Sequence, residues 1–245
     1  MKILFDIALY THIALGCIAL LLFWVPVVAS KGSKLHNFTG KWYTLCMQVV
    51  AGCGVLCSAL VILDPLTVHP RHFIDPQQAA LYIEQSRAFA SFLLMLSFLV
   101  LTGVTHGMRV IQDKASRQRL RRFDMLCLYL ALLLSSLYTL YLGIIANNML
   151  FNIFATIGIL SVAGILRYTF KKELKPREWV IEHLGAMLGS GIGVYTAFSA
   201  VGGRHVLAVL LSEQWIFISW IVPSVIGTAA ILWSTRYYRS KYRVS

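Results

Sequence analysis

Three of the seven histidines in this 245-residue chain, His12, His106 and His183, fall inside strongly apolar stretches. A histidine within a bilayer is costly to place and is a functional candidate by default. His106 and His183 lie on separate stretches at matching depth, about a turn below the same membrane face. Two imidazoles meeting from different helices at equal depth are what a six-coordinate b-type haem needs, each Nε2 serving as an axial ligand. Small neighbours (Thr102 and Gly103 before His106, Ala186 and Ser190 after His183) leave room for a flat macrocycle. His12 lies nearer mid-bilayer. His36, in the segment KGSKLHNFTGKWY, is placed in a loop at the same face as His106 and His183. The leading expectation is therefore a haem-binding electron-transfer module. His106 and His183 would be its ligands, His12 and His36 would support them or form a second site, and a redox partner would dock on it. An interhelical hydrogen bond, a metal site and a proton-handling site are the other readings of the same pair. The runner-up function is a non-enzymatic scaffold or small-solute carrier whose histidines are hydrogen-bonded packing elements. A membrane zinc hydrolase is the third.

Other residues qualify these readings. Glu182 adjoins His183, but adjacent helical residues point about 100° apart, so its carboxylate is expected to snorkel toward the interface. Cys46, Cys53 and Cys57 share one helical face and read as small packing residues, with no CxxC or zinc-finger spacing. Gly185, Gly189 and Gly193 form a repeated GxxxG, read as a close helix–helix contact. The segment DPLTVHPRHFIDP brings His69, His72, Asp64 and Asp75 together, a possible metal set but more simply a polar loop. There is no P-loop, no GxGxxG and no nucleophile elbow.

The elements that must position these side chains follow from composition. The chain is 58% hydrophobic and only 13% charged, with a mean hydropathy of +0.71. Soluble domains carry about 25% charged residues, so a water-covered surface cannot be built from this chain. A helix crosses the hydrocarbon core with about 20 apolar residues. Seven stretches qualify: 3–27, 42–63, 89–110, 125–145, 149–166, 179–201 and 215–233. Trp42, Trp179, Trp215 and Trp233 sit at their ends, where amphipathic rings prefer the interface. The prediction is an all-α bundle of seven transmembrane helices forming one polytopic membrane domain.

The formal net charge of +12 would suggest nucleic acid in a soluble protein. Here the placement of Lys and Arg explains it. The first, third and fifth loops carry three, six and five, and the C-terminal tail four. The alternate segments carry one, two, none and one. The 18 against 4 split puts the N-terminus outside and the C-terminus in the cytoplasm by the positive-inside rule. The basic loop RVIQDKASRQRLRRFD could in addition attract anionic lipids. A cleavable signal ending at Val27-Val28-Ala29 is not expected, because the apolar stretch is too long and Asp6 stands where a basic region belongs.

Two resemblances add to this. His12-x-x-x-Gly16, the Lys31-Gly32 pair, Leu35-His36 and Gly40 resemble the N-terminal signature of an uncharacterised bacterial membrane family, domain of unknown function 2306. Glu182-His183-Leu184, Met187 and Tyr195-Thr196-Ala197-Phe198 are similar to its second signature. Asn37 stands where that family commonly has Arg. The resemblance implies a polytopic inner-membrane protein, sets no activity, and points to His12, His36, His106 and His183. Thr102-Gly-Val-Thr-His106 is similar to one motif of the seven-span zinc amidase and receptor superfamily that includes alkaline ceramidases. That superfamily's HxxxH on the last span has no counterpart, and Met187 stands at the position matching a second histidine after His183.

Overall fold

The computed structural model describes residues 1–202 and 218–244. Arg204, His205, Glu213 and Trp215 lie outside the described residues. Among the described residues there are helices and turns and no strand. The helices are α1 (Lys2–Val28), α2 (Lys34–Leu63), the single turn α3 (Pro65–Val68), α4 (Pro76–Asp113), α5 (Phe123–Ile145), α6 (Met149–Phe170), α7 (Glu178–Ala197) and α8 (Ile218–Tyr242). Six of them, α1, α2, α4, α5, α6 and α8, are long and apolar enough to cross a membrane. The stretch 179–201 is helical as α7 but is not among the six. Glu178, Glu182, His183 and Ser190 dilute its apolar surface. It also ends at Ala197 in a π-helical turn, Phe198–Gly202.

Two helices begin well before the apolar stretch they carry. α2 starts at Lys34, so His36 lies in its first turn and not in a loop. α4 starts at Pro76, thirteen residues ahead of Phe89. Pro suits the first helical position, where its missing N–H costs nothing. Asp75 Oδ1 accepts from the Gln77 amide at 2.9 Å and caps the orphan donors of that turn. The polar run that follows (Gln77, Gln78, Ala79, Ala80, Glu84) consists of good helix formers.

The α5–α6 hairpin needs only Ala146, Asn147 and Asn148. Asn147 takes a left-handed conformation (φ 49°), which Asn tolerates better than most residues. Asn148 N donates to Gly143 O at 2.8 Å, while its side chain accepts from Phe151 N at 3.2 Å.

Packing groups the chain into two units. The first comprises Met1–Gly16, Cys46–Thr102 and Arg122–Thr169. Phe5, Leu60 and Val68 form a core there with Leu9 and Val61. Phe92 of α4 stacks on Phe151 of α6, with centroids 4.8 Å apart, and meets Phe154 edge-on. Such ring pairs add about 0.5–1.5 kcal/mol beyond their buried area. The second unit comprises Cys17–Leu45, Gly103–Arg121 and the described part of Phe170–Ser245. In it α7 lies along α8, with Gly227 against Ile192, and Gly191 accepts the ring of Phe23 where any side chain would collide.

Candidate functional site

The second unit holds three of the four candidate histidines, His36, His106 and His183. His106 projects from the last turns of α4 and is 1% exposed. Its Nε2–H donates to Oε1 of Glu182 on α7 at 2.9 Å. One residue further along each helix, Nδ1 of His183 lies 2.9 Å from the backbone oxygen of Gly107. A carbonyl only accepts, so the proton of His183 resides on Nδ1. Residues 106–107 are thus bonded to residues 182–183 by two adjacent contacts. The helices approach closely to make them. A Cβ at Gly107 would lie 3.0 Å from Cβ of Ala186 and 3.1 Å from Sδ of Met187.

This corrects the expectation for Glu182. Its carboxylate does not reach outward alone but turns to His106 on the facing helix, with its side chain 28% exposed. The 100° offset separates it from His183 and brings it onto α4. At Gly185 and Gly189 the GxxxG reading is corrected as well: among the described residues a Cβ there would meet nothing within 4 Å, and close approaches are made at Gly107 and Gly191.

His36 has a different environment. α1 ends at Val28 and leaves its last carbonyls without helical partners. His36 Nδ1 donates to Pro26 O at 2.9 Å, and Lys31 Nζ donates to Pro26 O at 2.9 Å and Val27 O at 2.6 Å. A cation suits the negative end of a helix dipole, although burial draws the Lys31 ammonium below its ordinary pKa. His36 and Lys31 both lie within electrostatic reach of His183. His12 belongs to the first unit, where its Nδ1 donates to Val50 O of α2 at 2.8 Å.

The start of α7 is fixed by charge. Lys171 Nζ contacts both oxygens of Glu178 at 2.7 and 2.9 Å, and the Lys175 amide donates to the same carboxylate at 2.8 Å. Burial alone would raise the Glu178 pKa, but these donors outweigh it and hold the carboxyl below its ordinary range. Lys114 sits over the Trp179 ring at 5.7 Å. Deeper in this unit, Tyr43 and Ser190 share a hydrogen bond of 2.8 Å, and Tyr195 OH donates to Leu20 O at 2.9 Å. The sequence singles out Lys31 only within the Lys31-Gly32 pair and does not single out Tyr43 or Lys171. A charged residue beside a helix end is the available signal for Lys171.

The site does not fit haem held between His106 and His183. The Nε2 that would bind iron is on Glu182, and between the two histidines Gly107 packs directly on Ala186 and Met187 of the facing helix. Among the described residues, no cluster of three or more His, Cys, Asp or Glu could hold a metal ion. In the loop ahead of α4, Asp64 caps α3 and Asp75 caps α4, while His69 packs edge-on against Phe5. The cysteines are unpaired thiols. Thr102 Oγ1 is buried and makes no hydrogen bond among the described residues. Part of the basic loop is structural: Arg117 is buried and donates to Lys171 O at 2.5 Å.

Compared with protein-family models, with curated proteins and with solved structures, the chain matches none.

Proposed function

We propose that the chain is a seven-span protein of a bacterial inner (cytoplasmic) membrane, N-terminus outside and C-terminus in the cytoplasm, and that it is a proton-coupled small-solute carrier. The six apolar helices support the membrane assignment. The 20 residues of α7 rise about 30 Å, the thickness of the hydrocarbon core, which supports a seventh crossing. The distribution of Lys and Arg supports the orientation. The His12, His36 and Glu182-His183 signatures support kinship with the domain of unknown function 2306 family. The exposed cations of the basic loops suit anionic headgroups.

One observation carries the functional reading: a nearly inaccessible imidazole bonded to a partly accessible carboxylate, His106 to Glu182. Carboxylate–histidine pairs inside membrane proteins are the usual parts of proton relays. Glu182 gives the buried ring a route to water. Gaining or losing a proton changes the charge of a site poorly supplied with water, where charge is expensive. The neighbouring His183–Gly107 bond spans the same two helices, so a charge change at the pair is felt in how α4 meets α7. His12, His36 and His183 serve as staples, each holding a backbone carbonyl through Nδ1.

The test is a pH jump on proteoliposomes adsorbed to a solid-supported membrane. Proton binding should give a transient current in the wild type that is lost in Glu182→Gln and in His106→Gln. The same transient in all three proteins, or none in the wild type, would reject the reading.

A further inference from the structure

Within the first unit, α4, α5 and α6 enclose a cleft of about 560 Å3, within the roughly 300–1,000 Å3 typical of small-molecule sites. Its α4 wall includes Ala80, Glu84, Arg87 and Ala88; Glu84 follows Ala80 by four residues and precedes Arg87 and Ala88 by three and four, which puts them on one helix face. Tyr138 and Ile145 of α5 form the facing wall, and Phe151 of α6 closes it.

Two features define what would occupy it. First, formal charge is confined to Glu84 and Arg87, a turn apart on the same helix and opposite in sign. Arg87 is held in place: Nε donates to Ile62 O at 3.0 Å and Nη2 to Leu63 O at 3.3 Å, carbonyls at the end of α2. That contact satisfies groups the helix end leaves unpaired and pins a positive charge at the cleft. Glu84 is exposed beside it. Second, Tyr138 and Ile145 are apolar walls that are 52% and 66% exposed. They open the cleft onto surface that faces hydrocarbon once α5 crosses a bilayer. The charged pair lies just ahead of Phe89, where the apolar stretch of α4 begins, at the level of lipid headgroups.

We propose that this cleft binds one phospholipid whose headgroup carries both a phosphate and a primary amine. Arg87 takes the phosphate, Glu84 takes the amine, and an acyl chain lies along Tyr138, Ile145 and Phe151. The two charges match the two ends of a zwitterionic head. An anionic head lacking the amine would leave Glu84 facing like charge. The site rests on α4–α6 crossing a membrane and is independent of the His106–Glu182 pair.

The experiment reconstitutes the full chain in vesicles of phosphatidylethanolamine and phosphatidylglycerol, equal in amount and matched in acyl chains. Native mass spectrometry then counts the lipid kept after extraction. One phosphatidylethanolamine per chain is expected, favoured roughly tenfold, the ratio supplied by one hydrogen bond to a charged group. Glu84→Gln, an exposed change that leaves the fold alone, should keep a lipid but lose the preference. Ala88→Trp should fill the cleft and keep neither. Equal retention of the two lipids by the wild type, a preference for phosphatidylglycerol, or no retained lipid would overturn the proposal. So would a preference unchanged in Glu84→Gln, or wild-type retention in a folded Ala88→Trp.

Discussion

His106 and Glu182 stand 76 residues apart in the chain and 2.9 Å apart in space, a buried imidazole on α4 held by a carboxylate on α7. Removing the carboxylate takes away a hydrogen bond of a buried imidazole, which costs about 1–3 kcal/mol. Glu182→Ala should therefore lower the thermal midpoint in detergent clearly. Glu182→Gln keeps an amide oxygen that can accept from Nε2 and should lower it much less. Equal losses in the two variants would mean that this bond is not what Glu182 contributes.

The three staple histidines should behave differently from His106. Each makes one bond to a backbone carbonyl, and a net loss of about 1 kcal/mol is expected for each substitution by alanine. His12→Ala, His36→Ala and His183→Ala should unfold at lower temperature yet retain the pH-jump current. A staple variant that keeps full stability and loses the current would assign that histidine to proton handling instead.

The closeness of α4 and α7 rests on Gly107. A leucine there must displace Ala186 and Met187, and overpacking of this kind costs about 1–3 kcal/mol. Gly185→Ala meets open space and replaces a poor helix former with the best one, so it should be neutral or stabilising by up to about 1 kcal/mol. Thermal unfolding of the two variants side by side makes the comparison, and a Gly185→Ala loss as large as that of Gly107→Leu would contradict it.

Much of this fold can be read directly from the sequence, because apolar windows find helices wherever lipid replaces water. What they miss are helical ends that overhang the apolar core. Lys34–Lys41 is helical with Ser33 Oγ capping the His36 amide, and Pro76–Ala88 through capping and propensity, neither of which hydropathy registers. The histidines at the site were legible because ionisable groups are rare in such stretches. Their partners were not. Glu182 was weighed against its chain neighbour His183, while its real partner stands on another helix. The Gly185–Gly189 spacing suggested a contact, yet which face of α7 meets a neighbour depends on rotation about the helix axis, which spacing alone does not set.

The ion pair that fixes the start of α7 makes stability depend on pH. Glu178 has a lowered pKa in the folded chain because the Lys171 and Lys175 donors outweigh its burial. A carboxyl with a depressed folded value contributes stability that is present above the unfolded value and lost as pH falls through the folded one. The thermal midpoint should thus decline as pH drops below the ordinary glutamate value of 4.5. Glu178→Gln should start lower at neutral pH and decline less. Parallel declines in the two proteins would remove Glu178 from this role.

The most direct test of proton binding at the His106–Glu182 pair is an infrared difference spectrum of the reconstituted protein between about pH 8 and about pH 5. The wild type should show carboxyl bands that disappear in Glu182→Gln and shift in His106→Gln, because the carboxylate is hydrogen-bonded to the ring. Identical carboxyl bands in the wild type and Glu182→Gln would show that the pair does not titrate and would contradict its role as the proton site.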